Sequence, residues 1–278
     1  MSLTLVSLTV STVAEWRAIR RRMEAEGRTL GFVPTMGALH AGHLALFRRC
    51  VAENQATVAS IFVNPAQFND PRDLGAYPRT LDADRAVLEA AGVDYLFLPD
   101  ERTVYPDAYR FRVTESALSR LLEGVHRPGH FDGVLTVLLR LFHIIRPTRA
   151  YFGEKDYQQY RLVREMAAAF FLDLDVVPCP TVREADGLAL SSRNVRLSPA
   201  GRELAGRFAR RLAEGGGADA IGHDLAALGI TVQYVEELEG RRYAAVVIEG
   251  VRLIDNVPLP PPTPDPRPPR PDPTPASP

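Results

Sequence analysis

The sequence predicts an α/β fold, with a parallel, helix-covered sheet in residues 1–185 and a smaller α+β domain after it. Apolar runs of strand length alternate with segments of helical periodicity in the first part, which is typical of βαβ units. After Asn194 the sequence changes to short β-rich runs around a glycine-rich break. At 278 residues, 46% of them hydrophobic, the chain is long enough to form both packed cores.

The first domain is predicted from its alternating elements, taken in chain order. Strands are predicted over residues 29–33, 57–63, 95–98, 150–152 and 174–177. Helices are predicted over residues 43–53, 81–91, 135–145 and 157–170. Because parallel strands need long crossovers, usually helices, this order indicates one parallel sheet covered by helices.

The second domain is predicted over residues 186–256. Ser198 followed by Pro199 is typical of the start of a helix. A break at residues 215–217 separates it from β-rich runs at 230–235, 243–248 and 251–254. A domain this small is near the lower limit of independent stability, so we expect it to rest against the first domain.

The last stretch, residues 257–278, contains 12 prolines in 22 residues. Proline fixes φ and lacks a backbone donor, so this stretch predicts neither helix nor sheet but an extended, disordered tail. A proline-rich ligand for an SH3-type domain is the functional alternative, although such motifs arise easily from composition alone.

Charge and cysteine content disfavour several classes of protein. The formal net charge of −1 provides no basic field to attract nucleic acid or an anionic membrane. Residues 1–10 lack the flank and cleavage site of a secretory signal, and no apolar run approaches the ~20 residues that span a bilayer. Cys50 and Cys179 lack zinc-site spacing. We therefore expect a soluble cytoplasmic protein with no nucleic-acid or membrane partner.

The run VPTMGALHAGH joins a predicted strand to a predicted helix. Gly37 and Gly42 allow a close backbone approach or a positive φ. His40 and His43 lie where the helix begins, and helix N-termini suit phosphate. Either imidazole is able to carry a proton near neutral pH. A solvent-exposed turn is the alternative, but the His-x-Gly-His pattern favours nucleotide phosphate binding. The chain has neither a Gly-x-Gly-x-x-Gly at this turn nor a Walker motif, which disfavours dinucleotide oxidoreductases and P-loop ATPases.

Lys155 is the only lysine among the 33 basic residues of these 278 residues. Lysine is a compact charge on a flexible stem, whereas arginine is a planar fork, so a moving phosphate favours lysine. Compositional drift is the alternative. Asp156 and Gln159 resemble a helix capping box. The competing interpretation has Asp156 accept from a ribose hydroxyl, Lys155 contact phosphate and Gln159 contact a second substrate.

Two further segments carry polar side chains after predicted strands. Asn64 and Gln67 lie at the carboxyl end of a strand, where open α/β sheets bind ligands. Turn capping is the alternative for Asn64. Ser191, Ser192 and Arg193 are suited to a mobile phosphate clamp, with ordinary loop chemistry as the alternative.

In this order, the segments resemble the pantoate–β-alanine ligase (pantothenate synthetase) family of the nucleotidylyltransferases with a His-x-Gly-His signature. The resemblance extends from about residue 29 to residue 256. The matching runs are VPTMGALHAGH, SIFVNPAQF, YPRTLDAD, RPGHFDGV, YFGEKDYQQ, VREADGLALSSRN and RLIDN.

The resemblance implies a Rossmann-like N-terminal domain, a C-terminal lid domain and a homodimer. It implies that ATP and pantoate form pantoyl adenylate and pyrophosphate, and that β-alanine then displaces AMP to give pantothenate. Mg²⁺ would be bound mainly through the ATP phosphates, with no metal ligand from protein side chains.

Residue roles are also implied by the resemblance. His40, His43 and Lys155 would be catalytic, with His43 as the proton donor, and Asn64, Gln67 and Gln159 would contact pantoate or β-alanine. ATP contacts are implied at Met36, Gly37, Ala38, Leu39, His40, Ala41, Gly42, His43, Gly153, Glu154, Lys155, Asp156, Val182, Leu190, Ser191, Ser192 and Arg193.

Two departures and two alternatives accompany the resemblance. The region between residues 198 and 252 looks shortened relative to the family, and the proline-rich extension is atypical. Another His-x-Gly-His adenylyltransferase, moving AMP to a phosphorylated precursor, is one alternative, but it needs no pair of glutamines for a small hydroxy acid. A non-catalytic nucleotide-binding protein is the other, and the complete set of polar site residues argues against it.

Overall fold

The computed structural model describes residues 8–260, which form two sheets. In this range, one sheet has the spatial order β1-β4-β3-β2-β5-β6 and all its strands are parallel. These strands are β1 (Leu8–Val10), β2 (Leu30–Thr35), β3 (Ala56–Ile61), β4 (Tyr95–Phe97), β5 (Arg149–Gly153) and β6 (Asp175–Cys179). The other sheet is antiparallel and consists of β7 (Thr231–Leu238), β8 (Arg241–Ile248) and β9 (Val251–Pro258).

Helices connect the strands within the same described range. They are α1 (Val13–Ala25), α2 (Ala41–Glu53), α3 (Pro71–Gly75), α4 (Leu81–Ala91), α5 (Glu101–Val104), α6 (Glu123–His126), α7 (His130–Ile145), α8 (Tyr157–Ala169), α9 (Pro199–Ala213) and α10 (Ala218–Ala227).

The order of strands reverses between β2 and β5, which are neighbouring inner strands of the parallel sheet. From β2 the chain proceeds to β3 and β4 on one side, and from β5 it proceeds to β6 on the other. Ligands of open α/β sheets bind at the carboxyl ends of the strands at such a switch point. The topology therefore brings the turn after β2 and the turn after β5 together.

The parallel sheet is packed on both faces because successive strand residues point to opposite sides. On β2, Phe32 packs against Phe142 of α7, with ring centroids 6.3 Å apart. Its neighbour Val33 belongs to the core on the other face, with Phe47 of α2. Trp16 of α1 is fully buried and donates from Nε1 to the carbonyl oxygen of Ile145 at 3.1 Å. The buried runs of these strands confirm the predicted sandwich of helices around a parallel sheet.

The antiparallel sheet is also covered on both faces. One face packs on α9 and α10 through residues that include Phe208 and Ile221. The opposite face presents Tyr234 and Tyr243, which form a cluster with Leu122 of the first domain. As expected from its size, the second domain rests on the first. Ser198 caps α9 by accepting from the backbone N–H of Gly201 at 3.1 Å, which confirms the predicted helix start.

The sequence-based prediction missed some elements and misplaced several boundaries. It missed β1 and the helices α1, α3, α5, α6 and α10. Helix α1 is hard to detect because its mean composition is polar and arginine-rich. The tail was predicted to begin at Val257, but β9 continues through Val257 and Pro258. Proline is tolerated there because β9 is an edge strand and Pro258 is its last residue. Residues 261–278 of the predicted tail lie outside the described residues.

Candidate active site

A cavity of about 300 Å³ opens at the carboxyl ends of β2 and β5. It brings together most of the site residues predicted from the sequence. Those that line it are Met36, His40, Gly42, His43, Asn64, Gln67, Gly153, Lys155, Asp156, Gln159, Val182, Leu190, Ser191, Ser192 and Arg193. Gly37, Ala38, Leu39, Ala41 and Glu154 are not among the lining residues.

The turn between β2 and α2 is shaped by a buried carboxylate. Gly37 and Ala38 both have positive φ, 81° and 52°. Asp84, which is 2% exposed, accepts from the N–H of Ala38 at 3.1 Å and from that of Leu39 at 2.8 Å, and from Thr80 Oγ1 at 3.2 Å. A Cβ on Gly37 would lie 2.9 Å from Asp84 Oδ2, so the turn needs glycine there. These two N–H groups are used inside the protein, which explains why Ala38 and Leu39 support the site without facing it.

The hydrogen bonds of His40 and His43 define the tautomer of each ring. Nδ1 of His40 accepts from the N–H of Gly42 at 3.1 Å, and Nδ1 of His43 accepts from the N–H of His40 at 3.3 Å. A nitrogen that accepts carries no proton, so in each neutral ring the proton is on Nε2. The rings lie 4.2 Å apart between centroids and both line the cavity. The helix start therefore offers two N–H donors to an anion.

Both imidazoles are neutral in the free protein near pH 7. Burial lowers the pKa of His40, and the nearby Lys155 lowers it further. Burial, followed by the charge of His40, lowers the pKa of His43 to about 3. The expectation that either ring is protonated at neutral pH is therefore wrong for the protein without ligand, because desolvation penalises the charged form.

The turn after β5 lacks the capping box suggested by the sequence. Asp156 precedes α8, but its side chain makes no capping hydrogen bond. Asp156 and Gln159 line the cavity instead. Nζ of Lys155 lies 3.8 Å from Oδ1 of Asp156, and the lysine side chain is 19% exposed. The geometry thus favours the ligand-facing interpretation of all three side chains over the capping interpretation.

Asn64 orients Gln67. Asn64 is 1% exposed, and its Oδ1 accepts from Tyr105 Oη at 2.7 Å and from the N–H of Ala66 at 3.4 Å. Its Nδ2 donates to Gln67 Oε1 at 3.0 Å. This leaves Gln67 Nε2 to point to Met36 Sδ, 3.3 Å away at the cavity. Turn capping by Asn64 is confirmed, and the same side chain sets which end of the Gln67 amide faces a ligand.

Arg127 and His130 are among the polar residues of the cavity that sequence reasoning missed. Nδ1 of His130 contacts the carbonyl oxygen of Gln67 at 2.8 Å, and Nε2 contacts Nη1 of Arg127 at 3.0 Å. A carbonyl only accepts and a guanidinium only donates, so the ring is neutral with its proton on Nδ1. Burial accordingly lowers the pKa of His130 to about 4. The signal in the sequence was a charged Arg-Pro-Gly-His run directly before a long apolar helix.

An apolar wall completes the cavity. It comes mainly from the end of β3 and from α7, whose inner face lies beside Gln67. Its members are Phe62, Val134, Val137, Leu138 and Leu141. The cavity therefore combines cationic and amide groups with a hydrophobic surface of mostly branched side chains.

At the rim, the loop before α9 carries Ser191, Ser192 and Arg193. The hydroxyl of Ser191 accepts from the N–H of Arg193 at 3.2 Å. Arg193 is exposed, and its guanidinium makes no ion pair with any residue from 8 to 260. A long cationic side chain without a partner at a cavity rim is suited to an anionic ligand.

Comparison with known proteins identifies the family. The sequence profile described as pantoate-beta-alanine ligase matches residues 8–258. The chain belongs to the pantoate–β-alanine ligase family. A pantothenate synthetase of Legionella pneumophila (strain Corby) is 52% identical over 242 residues, which are 87% of this chain and 96% of the relative. One from Coxiella burnetii (strain RSA 493) is 47% identical over 250 residues, 90% and 96% of the two chains.

Solved structures of pantoate–β-alanine ligases have the same fold. The Francisella tularensis enzyme, crystallised with beta-gamma ATP and β-alanine, superposes with a TM-score of 0.85 at 38% identity, covering 91% of this chain and 97% of that one. The pantothenate synthetase of Thermus thermophilus gives 0.82 at 46% identity, covering 91% and 100%. The chain therefore spans nearly the whole length of these relatives, and the predicted α/β architecture is confirmed.

Among residues 8–260, no group of three or more His, Cys, Asp or Glu side chains is placed to hold a metal ion. Within the same residues, no helix has the length and apolar character needed to cross a bilayer.

Proposed function

We propose that this member of the family condenses pantoate with β-alanine in the cavity between β2 and β5, using ATP and passing through pantoyl adenylate. The observation that carries the assignment of the site is the meeting of two strand-to-helix turns, with His40 and His43 on one and Lys155 on the other. The two amides of Gln67 and Gln159 lie in the same cavity. ATP-dependent condensation is the activity of the family. This group of side chains supports the assignment of the reaction to this cavity.

In the first step, a carboxylate oxygen of pantoate attacks the α-phosphorus of ATP and the bond to the pyrophosphate oxygen breaks. Catalysis of such an in-line displacement is mainly positioning and charge stabilisation. The Nε2–H groups of His40 and His43 donate to phosphate oxygens without either ring being charged. Lys155 adds the positive charge, and Arg193 with Ser191 and Ser192 closes on the phosphates from the rim. A bound polyphosphate favours the charged form of both imidazoles. For His43 to pass a proton from Nε2 to the leaving group, its Nδ1 must first take up a proton and give up the hydrogen bond from the N–H of His40.

Pantoate is held by two amides and an apolar wall. Gln67 presents Nε2, since Asn64 occupies its oxygen. The amide of Gln159 makes no hydrogen bond with any residue from 8 to 260, so it is available to the hydroxyl or carboxylate of pantoate. The branched carbon of pantoate fits the side chains of Phe62 and α7. Asn64 acts through Gln67 and does not need a contact of its own.

In the second step, the neutral amine of β-alanine attacks the acyl carbon of the adenylate and AMP leaves with the bonding electrons of the acyl–oxygen bond. Arg127 is half-buried at the cavity and contacts a neutral histidine, and it forms no ion pair with a carboxylate of residues 8–260. It is therefore a suitable cation for the free carboxylate of β-alanine. Closure of the second domain would exclude water from the adenylate.

Mg²⁺ is proposed to enter with ATP. Among the described residues lining the cavity, the only carboxylate belongs to Asp156. Mg²⁺ commonly takes one or two carboxylates and completes its shell with substrate phosphates and water. The donor set fits an ion bound mainly by the phosphates, with Asp156 as the one side chain able to contact it.

Pantoate-dependent exchange of labelled pyrophosphate into ATP tests the proposal against another adenylyltransferase. We expect exchange only when pantoate is present, because pantoate is the adenylyl acceptor. An exchange rate that does not depend on pantoate but increases when a phosphorylated precursor is added would refute the proposal. ATP binding without pantothenate formation from all three substrates would instead support a non-catalytic protein.

Further properties are proposed from the family resemblance and the fold. We assign residues 1–185 to the ATP- and pantoate-binding domain and residues 186–256 to the lid. The expected shortening of this region finds no support in relatives that match over 96–100% of their own length. We also propose a cytoplasmic homodimer. Sedimentation of the purified chain, with a mass near twice 30.7 kDa, tests the oligomeric state.

A further inference from the structure

Asn256, near the end of β9, connects the second domain to the turn that carries Lys155. It is 3% exposed, and its Nδ2 donates to the carbonyl oxygen of Glu154 at 2.9 Å and to that of Lys155 at 2.8 Å. An asparagine amide has two donor hydrogens, and both are used here. The side chain is thus committed to the backbone of a turn in the other domain.

The orientation of Asn256 is itself determined by neighbours that only donate. Its Oδ1 accepts from Nη1 of Arg241. The guanidinium of Arg241 lies 3.8 Å from the centre of the Tyr157 ring, at the start of α8. Nη2 of Arg183 donates to the carbonyl oxygen of Asn256 at 3.2 Å. These contacts decide which end of the amide faces the lysine turn and hold it there.

The lysine turn has few restraints of its own. Gly153, before the short turn Glu154–Asp156, has no side chain with which to cap it, and Asp156 before α8 makes no side-chain capping hydrogen bond. Orphan carbonyl and N–H groups at such a turn need partners from elsewhere. Asn256 supplies the partner for two successive carbonyls, on either side of the Lys155 Cα.

The preceding residue, Asp255, connects to the opposite wall of the cavity. Its side chain is 1% exposed and binds Arg183 with both oxygens, at 2.6 and 3.0 Å. Nη1 of Arg183 also donates to the carbonyl oxygen of Gly187 at 2.9 Å. Arg183 pairs with Ala189 in a small hairpin, and this hairpin leads directly into the Leu190–Arg193 loop. Two adjacent residues of β9 therefore hold both phosphate-facing walls.

We propose that Asn256 is a positioning residue for Lys155, and that the Asp255–Asn256 pair couples the second domain to both walls of the ATP cavity. Asn256 does not line that cavity and acts through the backbone of the lysine turn. The proposal rests on the proposed function in one respect, namely that Lys155 contacts the phosphates of ATP. It gives the second domain a part in assembling the site as well as in covering it.

The single lysine provides a direct readout of this link. Protein labelled with ¹³Cε-lysine, carrying a lysine-free tag, gives one lysine NMR signal, from Lys155. In the wild type we expect this signal to shift when ATP is added. Asn256→Asp keeps the shape of the side chain but removes both donors, and Asn256→Ala removes the amide. In both, we expect a changed resting signal and loss of most of the ATP-induced shift.

The same variants are assayed by pantoate-dependent pyrophosphate exchange. We expect kcat to fall by about 10- to 100-fold with little change in KM for pantoate, because misplacing a catalytic group by ~1 Å can cost ~10²-fold. Thermal unfolding identifies which variants are folded, and the isosteric Asn256→Asp serves if Asn256→Ala does not fold.

Asn54→Asp is the matched control. Asn54 also donates twice, to the carbonyl oxygen of Cys50 at 2.8 Å and to Tyr151 Oη at 2.7 Å, but it lies outside the cavity lining. We expect a wild-type lysine signal and wild-type exchange. A folded Asn256→Asp with a wild-type lysine signal and kcat would overturn the proposal, as would the same losses in Asn54→Asp. A wild type without pantoate-dependent exchange would refute the proposed function instead, and the lysine signal would still decide the positioning role.

Discussion

Individual side chains in this site owe their roles to the partners that occupy their other atoms. His40 and His43 present Nε2–H to the cavity because backbone N–H groups occupy both Nδ1 atoms. Gln67 presents its Nε2 because Asn64 occupies its oxygen. In each case the ligand-facing atom is selected by a hydrogen bond on the other side of the group. A histidine ring or a glutamine amide could present either of two polar atoms to a ligand, and these hydrogen bonds leave only one of them available.

Lys155 is the residue whose chemical type is most open to a direct test. Lys155→Arg keeps the charge but replaces a compact ammonium on a flexible stem by a wider planar fork. We expect a fall of at least ~10-fold in kcat for pyrophosphate exchange, and of ~10²-fold or more in Lys155→Ala, where charge stabilisation is lost entirely. Steady-state exchange kinetics measure both. Unchanged turnover in Lys155→Arg would mean that the single lysine is an accident of composition.

At the scale of elements, the turn between β2 and α2 depends on a helix that does not touch the ligand. Asp84 of α4 accepts the N–H groups of Ala38 and Leu39 and stabilises a backbone that turns twice through positive φ. The amide of Asn would place a donor against one of these N–H groups. We expect Asp84→Asn to lower the free energy of unfolding by ~1–3 kcal/mol, the cost of an unsatisfied buried group. We also expect a higher KM for ATP.

Asp82→Asn is the control for this element. Asp82 lies in the same first turn of α4 and is exposed, so the change removes the same charge from the same helix end without touching the turn. Urea unfolding and exchange kinetics should leave Asp82→Asn close to wild type. Equal effects in the two variants would assign the role of Asp84 to the helix charge rather than to the turn.

For the whole molecule, the buried histidines predict how stability changes with pH. The pKa of His130 is lowered to about 4 and that of His43 to about 3, from an unfolded value near 6.5. Below pH 6.5 the unfolded chain therefore binds more protons than the folded one. Stability without ligand is fully present above pH 6.5 and falls as the pH is lowered, by up to ~1.4 kcal/mol per pH unit for each such histidine.

Urea unfolding between pH 7 and pH 5 measures this loss, since most carboxylates titrate at lower pH. His130→Asn retains a donor for the carbonyl of Gln67 but does not titrate, so we expect a smaller loss of stability over the same interval. His143→Asn is the control, because His143 is exposed. A pH dependence that is identical in wild type and His130→Asn would contradict the assignment of a buried neutral ring.

The end of β9 sets where the chain can be shortened. Removal of residues 261–278 should leave kcat/KM within about twofold, because the cavity is built from residues that precede this segment and chain termini generally tolerate change. Truncation after Asn256 removes Val257 and Pro258, which pair with Arg242 and Arg241 of β8. It should lower the Tm, by roughly 2–4 °C for each ~1 kcal/mol lost, and reduce exchange. Thermal scans and exchange assays of the two truncations compare them, and a large loss from the shorter deletion would give the tail a function.

Local patterns in the chain were sufficient to predict the parallel sheet, the order of most of its elements and the polar residues after β2, β3 and β5 that line the cavity. These follow from periodicity and from motifs written in residues that are close together in the chain. The family resemblance rests on the same local runs. The motif His-Ala-Gly-His consists of four consecutive residues, so it could be recognised without knowledge of the three-dimensional structure.

Only the folded molecule shows which of those residues line the cavity and which hydrogen bonds hold them in place. Asp84, His130 and Asn256 act on backbone groups of the site that lie 45 to 102 residues away in the chain, and no local pattern marks such partners. The neutral state of His43 likewise depends on desolvation, which exists only once the domains have packed. The physical reason is that burial and long-range hydrogen bonds are properties of the folded molecule, whereas periodicity and turn chemistry are properties of the chain.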